Sequence, residues 1–158
     1  IIVHGLAKAY SMTGWRIGFL AAPKPIAQAI NALQSHSTSN ATSFAQKGAV
    51  AALTGPQTHL EEWLTEFNKR RTYAAERLNN MSGISCVNSR GAFYLFPNIE
   101  GTGLTSAEFC DRLLVHSKVA AVPGIAFGAD NNFRISYATS MENIQKGMDR
   151  LDAFCKSL

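Results

Sequence analysis

Residues 5–18 read GLAKAYSMTGWRIG, and this stretch decides how the rest of the sequence is interpreted. Lys8 stands among small residues, and Arg16 follows at the head of an apolar run. The flanking residues 1–3 and 17–22 are short continuous apolar segments, bounded by glycine and proline. Such runs favour buried strands of a parallel sheet that is covered on both faces. We therefore expect Lys8 and Arg16 in or beside the turn that joins two strands.

A lysine in such surroundings needs a chemical reason, because lysine is rarely buried without a partner. A Schiff base with an aldehyde supplies one, since the attacking amine must be neutral and both burial and a neighbouring cation lower its pKa. Arg16 is placed to be that cation and to bind an anion, for which phosphate is a common partner. Small residues at Gly5, Ala7 and Gly14 would let a flat cofactor approach the backbone. The spacing alone is equally compatible with a loop lysine and a surface arginine flanking a hairpin.

Four segments of the chain resemble one enzyme family. Residues 5–18 resemble the lysine-attachment segment of class I pyridoxal-phosphate-dependent aminotransferases, and their sequence is most similar to that of the aspartate/prephenate branch. Residues 132–140, NFRISYATS, resemble the segment whose arginine holds the substrate α-carboxylate. Residues 91–94, GAFY, and 122–124, VPG, also resemble family segments. All four lie in family order and extend along nearly the whole chain.

The resemblance implies roles for three residues. Lys8 would form the Schiff base with pyridoxal phosphate and serve as general base and acid at the substrate α-carbon. Arg16 would bind the cofactor phosphate, and Arg134 would bind the substrate carboxylate. The alternatives are an Arg16 at a strand end paired with a carboxylate, and an ion pair of Arg134, for example with Asp130. The implied reaction moves an amino group between an L-amino acid, aspartate or a relative, and a 2-oxo acid.

Two positions depart from branches of this family. Gly5 stands where some branches have a serine that also holds the phosphate. Ser35 stands where one branch has an arginine that crosses the dimer interface to hold the side chain of a dicarboxylate. That device for recognising aspartate is therefore expected to be absent. For Tyr94 we favour core packing beside Phe93 over a place in the substrate cleft.

Composition limits the functional classes. Of the 158 residues, 46% are hydrophobic and 16% are charged, with a net charge of +4, which is typical of a globular chain. The basic cluster at residues 68–71 falls in a periodic helix, so a solvated face is favoured over a nucleic-acid surface. Three scattered cysteines favour a reducing compartment, the cytoplasm, and the histidines have no metal-ligand spacing. The sequence predicts neither a membrane span nor a signal peptide.

The expected fold class is α/β, the C-terminal part of a fold type I pyridoxal-phosphate transferase. Residues 1–68 are predicted to end the sheet of the large, cofactor-binding domain, and residues 69–158 to form a smaller α/β domain. The first predicted elements are a helix opened by Pro25, a polar loop at 35–40, a helix at 44–53, and a long helix from near 57 to around 79–83. They are followed by strands at 84–87 and 93–96, a helix capped by Thr105 with Glu108, strands at 119–122 and 133–138, and a helix capped by Ser140.

The chain opens directly on an apolar segment without a methionine, so we expect a C-terminal fragment of a longer, homodimeric enzyme. In the resembling family the groups that stack on the cofactor ring and contact its nitrogen precede the lysine. We therefore expect little catalysis from the chain alone, and first strands whose open edges self-associate. Two alternatives stay open: a lyase or synthase of the same superfamily, and an aminotransferase-like sensor domain of a transcription regulator.

Overall fold

A computed structural model describes residues 1–158. The chain forms two compact units, Ile1–Glu62 and Trp63–Leu158. The sequence placed a division near Lys69. The assignment of the two parts to a cofactor-binding domain and a small domain stays a prediction.

The first unit begins with a two-stranded hairpin. β1 (Ile2–Gly5) pairs antiparallel with β2 (Gly18–Ala21), and Val3 lies opposite Leu20. The predicted parallel sheet, buried on both faces, is wrong for these strands, because they are antiparallel and the Val3 side chain is 78% exposed. Parallel strands need a crossover that is usually helical. Residues 6–17 instead form turns and a short 3-10 segment, which returns the chain beside β1.

Two helices complete most of this unit. α1 (Lys24–Ser37) starts with proline in its first turn, where the missing N–H costs nothing, and α2 (Ser43–Thr54) follows. The polar loop predicted from Ser35 starts later, because α1 continues to its end at Ser37. The Ser35 hydroxyl donates to the carbonyl oxygen of Ala32 at 2.7 Å, so this polar side chain is satisfied within the helix.

The longest helix is α3 (Thr58–Asn79). Its start is within a residue of the predicted Gln57, and it ends at the first residue of the predicted end region, 79–83. Its last turns belong to the second unit and bury Ala74, Ala75 and Leu78. Asn79 closes it by donating to the Cys86 carbonyl oxygen at 2.9 Å and accepting from the Cys86 N–H at 2.8 Å.

The second unit is built on a three-stranded antiparallel sheet. β3 (Tyr94–Leu95), β4 (Val122–Pro123) and β5 (Phe133–Ser136) lie in the order β3-β5-β4. Side chains alternate along β5, so Phe133 and Ile135 are buried while Arg134 between them is half-buried. The central strand therefore directs Arg134 away from the core.

This sheet is shorter than predicted. The strand expected at residues 84–87 is reduced to an isolated bridge between Ser85 and Asn98, and the one expected at 119–122 to β4. The amide of Asn79 takes both backbone hydrogen bonds of Cys86 that a partner strand would otherwise make. The Asn79 side chain thus takes the place of a neighbouring strand. The apolar pattern of residues 84–87 does not indicate this substitution.

The helices of the second unit follow their predicted caps. α4 (Ser106–Arg112) begins with the reciprocal capping box of Thr105 and Glu108, and a π-helical turn follows it. α5 (Met141–Cys155) begins where the Ser140 hydroxyl accepts a hydrogen bond from the Asn143 N–H at 3.2 Å. The least exposed core side chains are Leu78, Leu95, Ile99, Phe109, Leu113, Phe133 and Leu151.

None of the helices combines the length and the apolar character that crossing a membrane requires. Cys86, Cys110 and Cys155 are free thiols, and no group of side chains has the arrangement of a metal site.

Candidate functional site

The connection between β1 and β2, residues 6–17, is a braced loop. Leu6 and Met12 bury their side chains, being only 1% and 7% exposed. The Thr13 hydroxyl donates to the carbonyl oxygen of Ala7 at 3.0 Å and so ties the two halves of the loop together. Two apolar anchors and one cross-link therefore fix a segment that would otherwise be mobile.

Lys8 lies in the turn between these anchors, and it is exposed. The turn was expected, but the burial expected for Lys8 is not found, because no layer of this chain covers the turn. Its backbone is fixed by the Ser11 N–H, which donates to the Lys8 carbonyl oxygen at 3.1 Å, with Ser11 in the left-handed conformation at φ 53°. Next to it, the Tyr10 hydroxyl donates to Gln57 Oε1 at 2.9 Å. The backbone around Lys8 is thus held on both sides, by the Thr13 bond to Ala7 and by the Ser11 bond to Lys8.

Arg16 lies at the other end of the same loop. Its backbone is left-handed, at φ 51° and ψ 48°, and its Nη1 donates to the carbonyl oxygen of Thr13 at 2.9 Å. It lines a shallow cavity of about 250 Å³ together with Ala7, Ile17 and Gly18. No carboxylate of this chain pairs with it, so the structure does not contain the ion pair considered as the alternative. A strained non-glycine residue that presents an uncompensated cation to a cavity is typical of a ligand site.

Trp15 anchors the end of the loop on α2. Its ring lies 6.0 Å from that of Phe44, edge to face. A Cβ added to Gly48 would come within 2.7 Å of Trp15 Cζ3, so glycine is the residue that lets the indole approach the helix. Trp15 is thus a packing residue.

Arg134, in the second unit, is surrounded by aromatic rings. Its Cζ lies 4.4 Å from the ring centroid of Tyr94 and 4.7 Å from that of Phe127. The ion pair considered with Asp130 is not formed, since the salt bridges of the chain involve other residues. The Asp130 carboxylate instead accepts hydrogen bonds from the Ser106 hydroxyl at 2.6 Å and N–H at 3.1 Å. The Arg134 side chain is thus in contact with two aromatic rings and with no carboxylate of the chain.

Sequence reasoning missed one aromatic residue and assigned another incompletely. Phe127 carried no signal, because it lies in a loop with no periodicity to mark it. Tyr94 does pack on Phe93, with ring centroids 4.5 Å apart, as favoured from the sequence. It also contacts Arg134, which its half-buried place on the outer face of β3 makes possible.

The thiols of the second unit are poor candidates for chemistry. Burial, with smaller contributions from neighbouring carboxylates, raises the pKa of both Cys110 and Cys155 to about 11. Burial also raises the pKa of Cys86. Since the thiolate is the reactive form, these cysteines are structural at neutral pH.

Known proteins of similar sequence identify the family of this chain. The family model described as aminotransferase class I and II matches residues 1–151. The chain belongs to this aminotransferase family. Its curated relatives include an aspartate aminotransferase of Geobacillus stearothermophilus, 44% identical over 99% of this chain and 41% of the relative. Another is an aspartate/prephenate aminotransferase of Cereibacter sphaeroides, 44% identical over 98% of this chain and 41% of the relative.

Solved aminotransferase structures share the fold. The aspartate aminotransferase of Rhizobium meliloti superposes with a TM-score of 0.94 at 40% identity, over 98% of this chain and 41% of that one. The aromatic aminotransferase of Pyrococcus horikoshii gives 0.93 at 39% identity, over 98% and 42%. The predicted α/β class, part of the fold type I aminotransferase architecture, is confirmed. The chain spans about 41% of the length of the curated relatives it matches. The family implies pyridoxal phosphate as the cofactor.

Proposed function

We propose that this protein acts as a pyridoxal-phosphate-dependent aminotransferase, which moves an amino group between an L-amino acid and a 2-oxo acid. The observation that carries the proposal is the loop of residues 6–17, which presents an amine at Lys8 and an uncompensated guanidinium at Arg16. These two groups fit a phosphorylated aldehyde. When bound, the cofactor supplies an aldehyde that captures amino groups and a conjugated ring that accepts electrons from the α-carbon.

Lys8 is proposed as the attachment and proton-transfer residue. Its Nζ would hold the cofactor until the amino group of the substrate replaces it. The freed amine would then take the proton from the substrate α-carbon and later return a proton as general acid. The hydrogen bond to the Lys8 carbonyl oxygen supports this role, because it keeps the backbone of the lysine in place while its side chain changes partners.

Arg16 is proposed to bind the cofactor phosphate. The guanidinium is always charged and matches phosphate oxygens with two parallel N–H donors. Its exposure, its place at the cavity and the absence of a competing carboxylate support this role. The hydrogen bond from Nη1 to the Thr13 carbonyl oxygen orients the side chain and leaves its other donors for the ligand.

Arg134 is proposed to bind the carboxylate shared by amino-acid and 2-oxo-acid substrates. Its lack of an ion pair and its half-buried place on β5 support this, since a carboxylate gains most from a cation that is partly shielded from water. Both substrates of the reaction carry this group, so a single arginine serves both halves of it.

The finer assignments are also proposals. Aspartate or a relative is the proposed amino acid, and the printed names of two similar proteins, aspartate and aspartate/prephenate aminotransferase, support it. Three free cysteines support a reducing compartment, for which we propose the cytoplasm. A homodimer is proposed for the active form. The domain assignment proposed here keeps residues 1–68 with the cofactor and residues 69–158 as the small domain.

The test is to add pyridoxal phosphate, reduce with borohydride, digest, and locate the label by mass spectrometry. We expect Lys8 to be labelled well above the other six lysines. Lys8→Arg should lose that label, while Lys24→Arg, at the exposed start of α1, should retain it. Even labelling of all lysines, or labelling that survives Lys8→Arg, would overturn the attachment role.

A further inference from the structure

The side chain of Arg134 is held by aromatic surfaces rather than by carboxylates. Its Cζ lies 4.4 Å from the ring centroid of Tyr94 and 4.7 Å from that of Phe127, and we call these two side chains the ring pair. Phe127 is 50% exposed, and its ring is met at right angles by that of Phe96, with the centroids 5.8 Å apart. The aromatic contacts of Phe127 are therefore made at the surface, with Arg134 on one side and Phe96 on the other.

The turn that carries Phe127 is fixed. The Gly124 N–H donates to the Asn132 carbonyl oxygen at 2.8 Å, and a Cβ at Gly124 would overlap that same oxygen. The Ile125 N–H donates to the hydroxyl of Ser106, which is fully buried. Because neighbouring residues on the turn are tied down in this way, Phe127 has little freedom to leave Arg134.

The face of an aromatic ring attracts a guanidinium stacked on it. Unlike a carboxylate, the ring does not accept the hydrogen bonds that the guanidinium donates in its own plane. The ring pair therefore restricts the movement of Arg134, removes water from around it, and leaves its N–H donors unused. A flexible arginine would have to lose this freedom on binding, which weakens affinity. We propose that Tyr94 and Phe127 are positioning residues, which hold the guanidinium of Arg134 ready for the substrate carboxylate. The inference rests on the proposed role of Arg134 and assigns two further residues to it.

The test measures the binding of pyruvate, a small 2-oxo carboxylate, by following the Nε–H signal of Arg134 in NMR titrations. Phe127→Leu and Tyr94→Leu remove a ring but keep apolar bulk. Each should weaken pyruvate binding about threefold to tenfold, the size expected for one cation–π contact. Each should also move the Arg134 signal, since the shielding by one ring is lost. Phe127→Tyr and Tyr94→Phe keep the rings and should restore both values.

Ile125→Ala is the matched control, because Ile125 is exposed on the same turn but is not one of the ring pair. It should bind pyruvate as the original chain does. A purely structural role would lower the melting temperature of the leucine variants without changing the affinity of the folded protein for pyruvate, and that result would overturn the inference.

Arg134→Gln separates this inference from the proposed function. If the glutamine variant loses pyruvate binding while both leucine variants keep it, the ring pair has no positioning role but the carboxylate site stands. If Arg134→Gln binds pyruvate unchanged, or if the original chain does not bind it at tens of millimolar, the carboxylate role fails and the inference fails with it.

Discussion

The hydroxyl of Ser106 fastens the start of α4 to the loop that carries Phe127, and its removal is the most direct test of that loop. Ser106 has no exposed surface. Its Oγ donates to Asp130 Oδ1 at 2.6 Å and accepts from the Ile125 N–H at 3.1 Å. Ser106→Ala deletes both bonds and leaves a donor of the loop without its acceptor.

The cost of Ser106→Ala follows from these two bonds. A hydrogen bond to a charged group contributes about 1.5–3 kcal/mol, and a neutral one about 1 kcal/mol. Asp130 is exposed and regains water when the hydroxyl is lost, so the first value falls at its lower end. We expect a loss of about 2.5 kcal/mol in the free energy of unfolding of the second unit.

Urea unfolding, followed through the amide hydrogen exchange of Phe133 and Ile135, reports the stability of this unit. Ser157→Ala is the matched control, because the Ser157 hydroxyl donates only to the Phe154 carbonyl oxygen at the exposed end of α5. It should cost less than about 0.5 kcal/mol. The reasoning is refuted if Ser106→Ala costs as little, or if its effect adds to that of Asp130→Ala within about 0.5 kcal/mol.

Three further predictions concern pH, strain and local stability. Hydrogen bonds from Thr105, first from its hydroxyl and then from its backbone N–H, lower the pKa of Glu108 below its ordinary value of 4.5. The ionised Glu108 therefore stabilises the fold fully above pH 4.5, and this contribution is lost as the pH falls through the lower folded-state pKa. Glu108→Gln should flatten the decline measured by urea unfolding below that pH, and an unchanged slope would contradict the assignment. Arg16→Gly should abolish phosphate binding yet leave the thermal stability of the first unit no lower, because glycine adopts φ 51° without the strain of about 1–2 kcal/mol that other residues carry. Titration with phosphate and a melting curve test both halves, and a large drop in stability would rule out the strain. Amide hydrogens of residues 2–21 should exchange faster than those of Phe133–Ser136, because the first hairpin is a two-stranded ladder; slower exchange would reverse our ranking of the two units.

The sequence predicted best those structural features that depend on residues close together in the chain. The Thr105 cap and its Glu108 partner are three positions apart, and the structure contains both of their hydrogen bonds. The bounds of α3 were confirmed for the same reason, since helical periodicity repeats within every turn. The position of Lys8 and Arg16 in a connection between two strands was also correct, because Gly5, Gly14 and Gly18 interrupt the apolar runs there.

What the sequence failed to predict depends on distant partners. The apolar run at residues 1–3 indicated a buried strand, but burial requires a covering layer that the run itself does not encode. Residues 84–87 had the composition of a strand, yet the Asn79 side chain takes the hydrogen bonds that a ladder would use. The burial expected of Lys8 failed for the same reason as that of residues 1–3, since it depends on what covers the loop and not on the residues of the loop.

The sequence by itself determined the aminotransferase family, the α/β class and the three residues that carry the proposed chemistry, because these are written as short motifs at fixed spacing. Only the tertiary structure decided what surrounds each of them. It braced the Lys8 loop through Thr13 and placed Arg16 at a cavity without a carboxylate. It also brought Phe127 and Tyr94 against Arg134, although they lie on different segments. The physical reason is that a motif specifies chemical groups, whereas their exposure and partners arise from packing between segments distant in sequence.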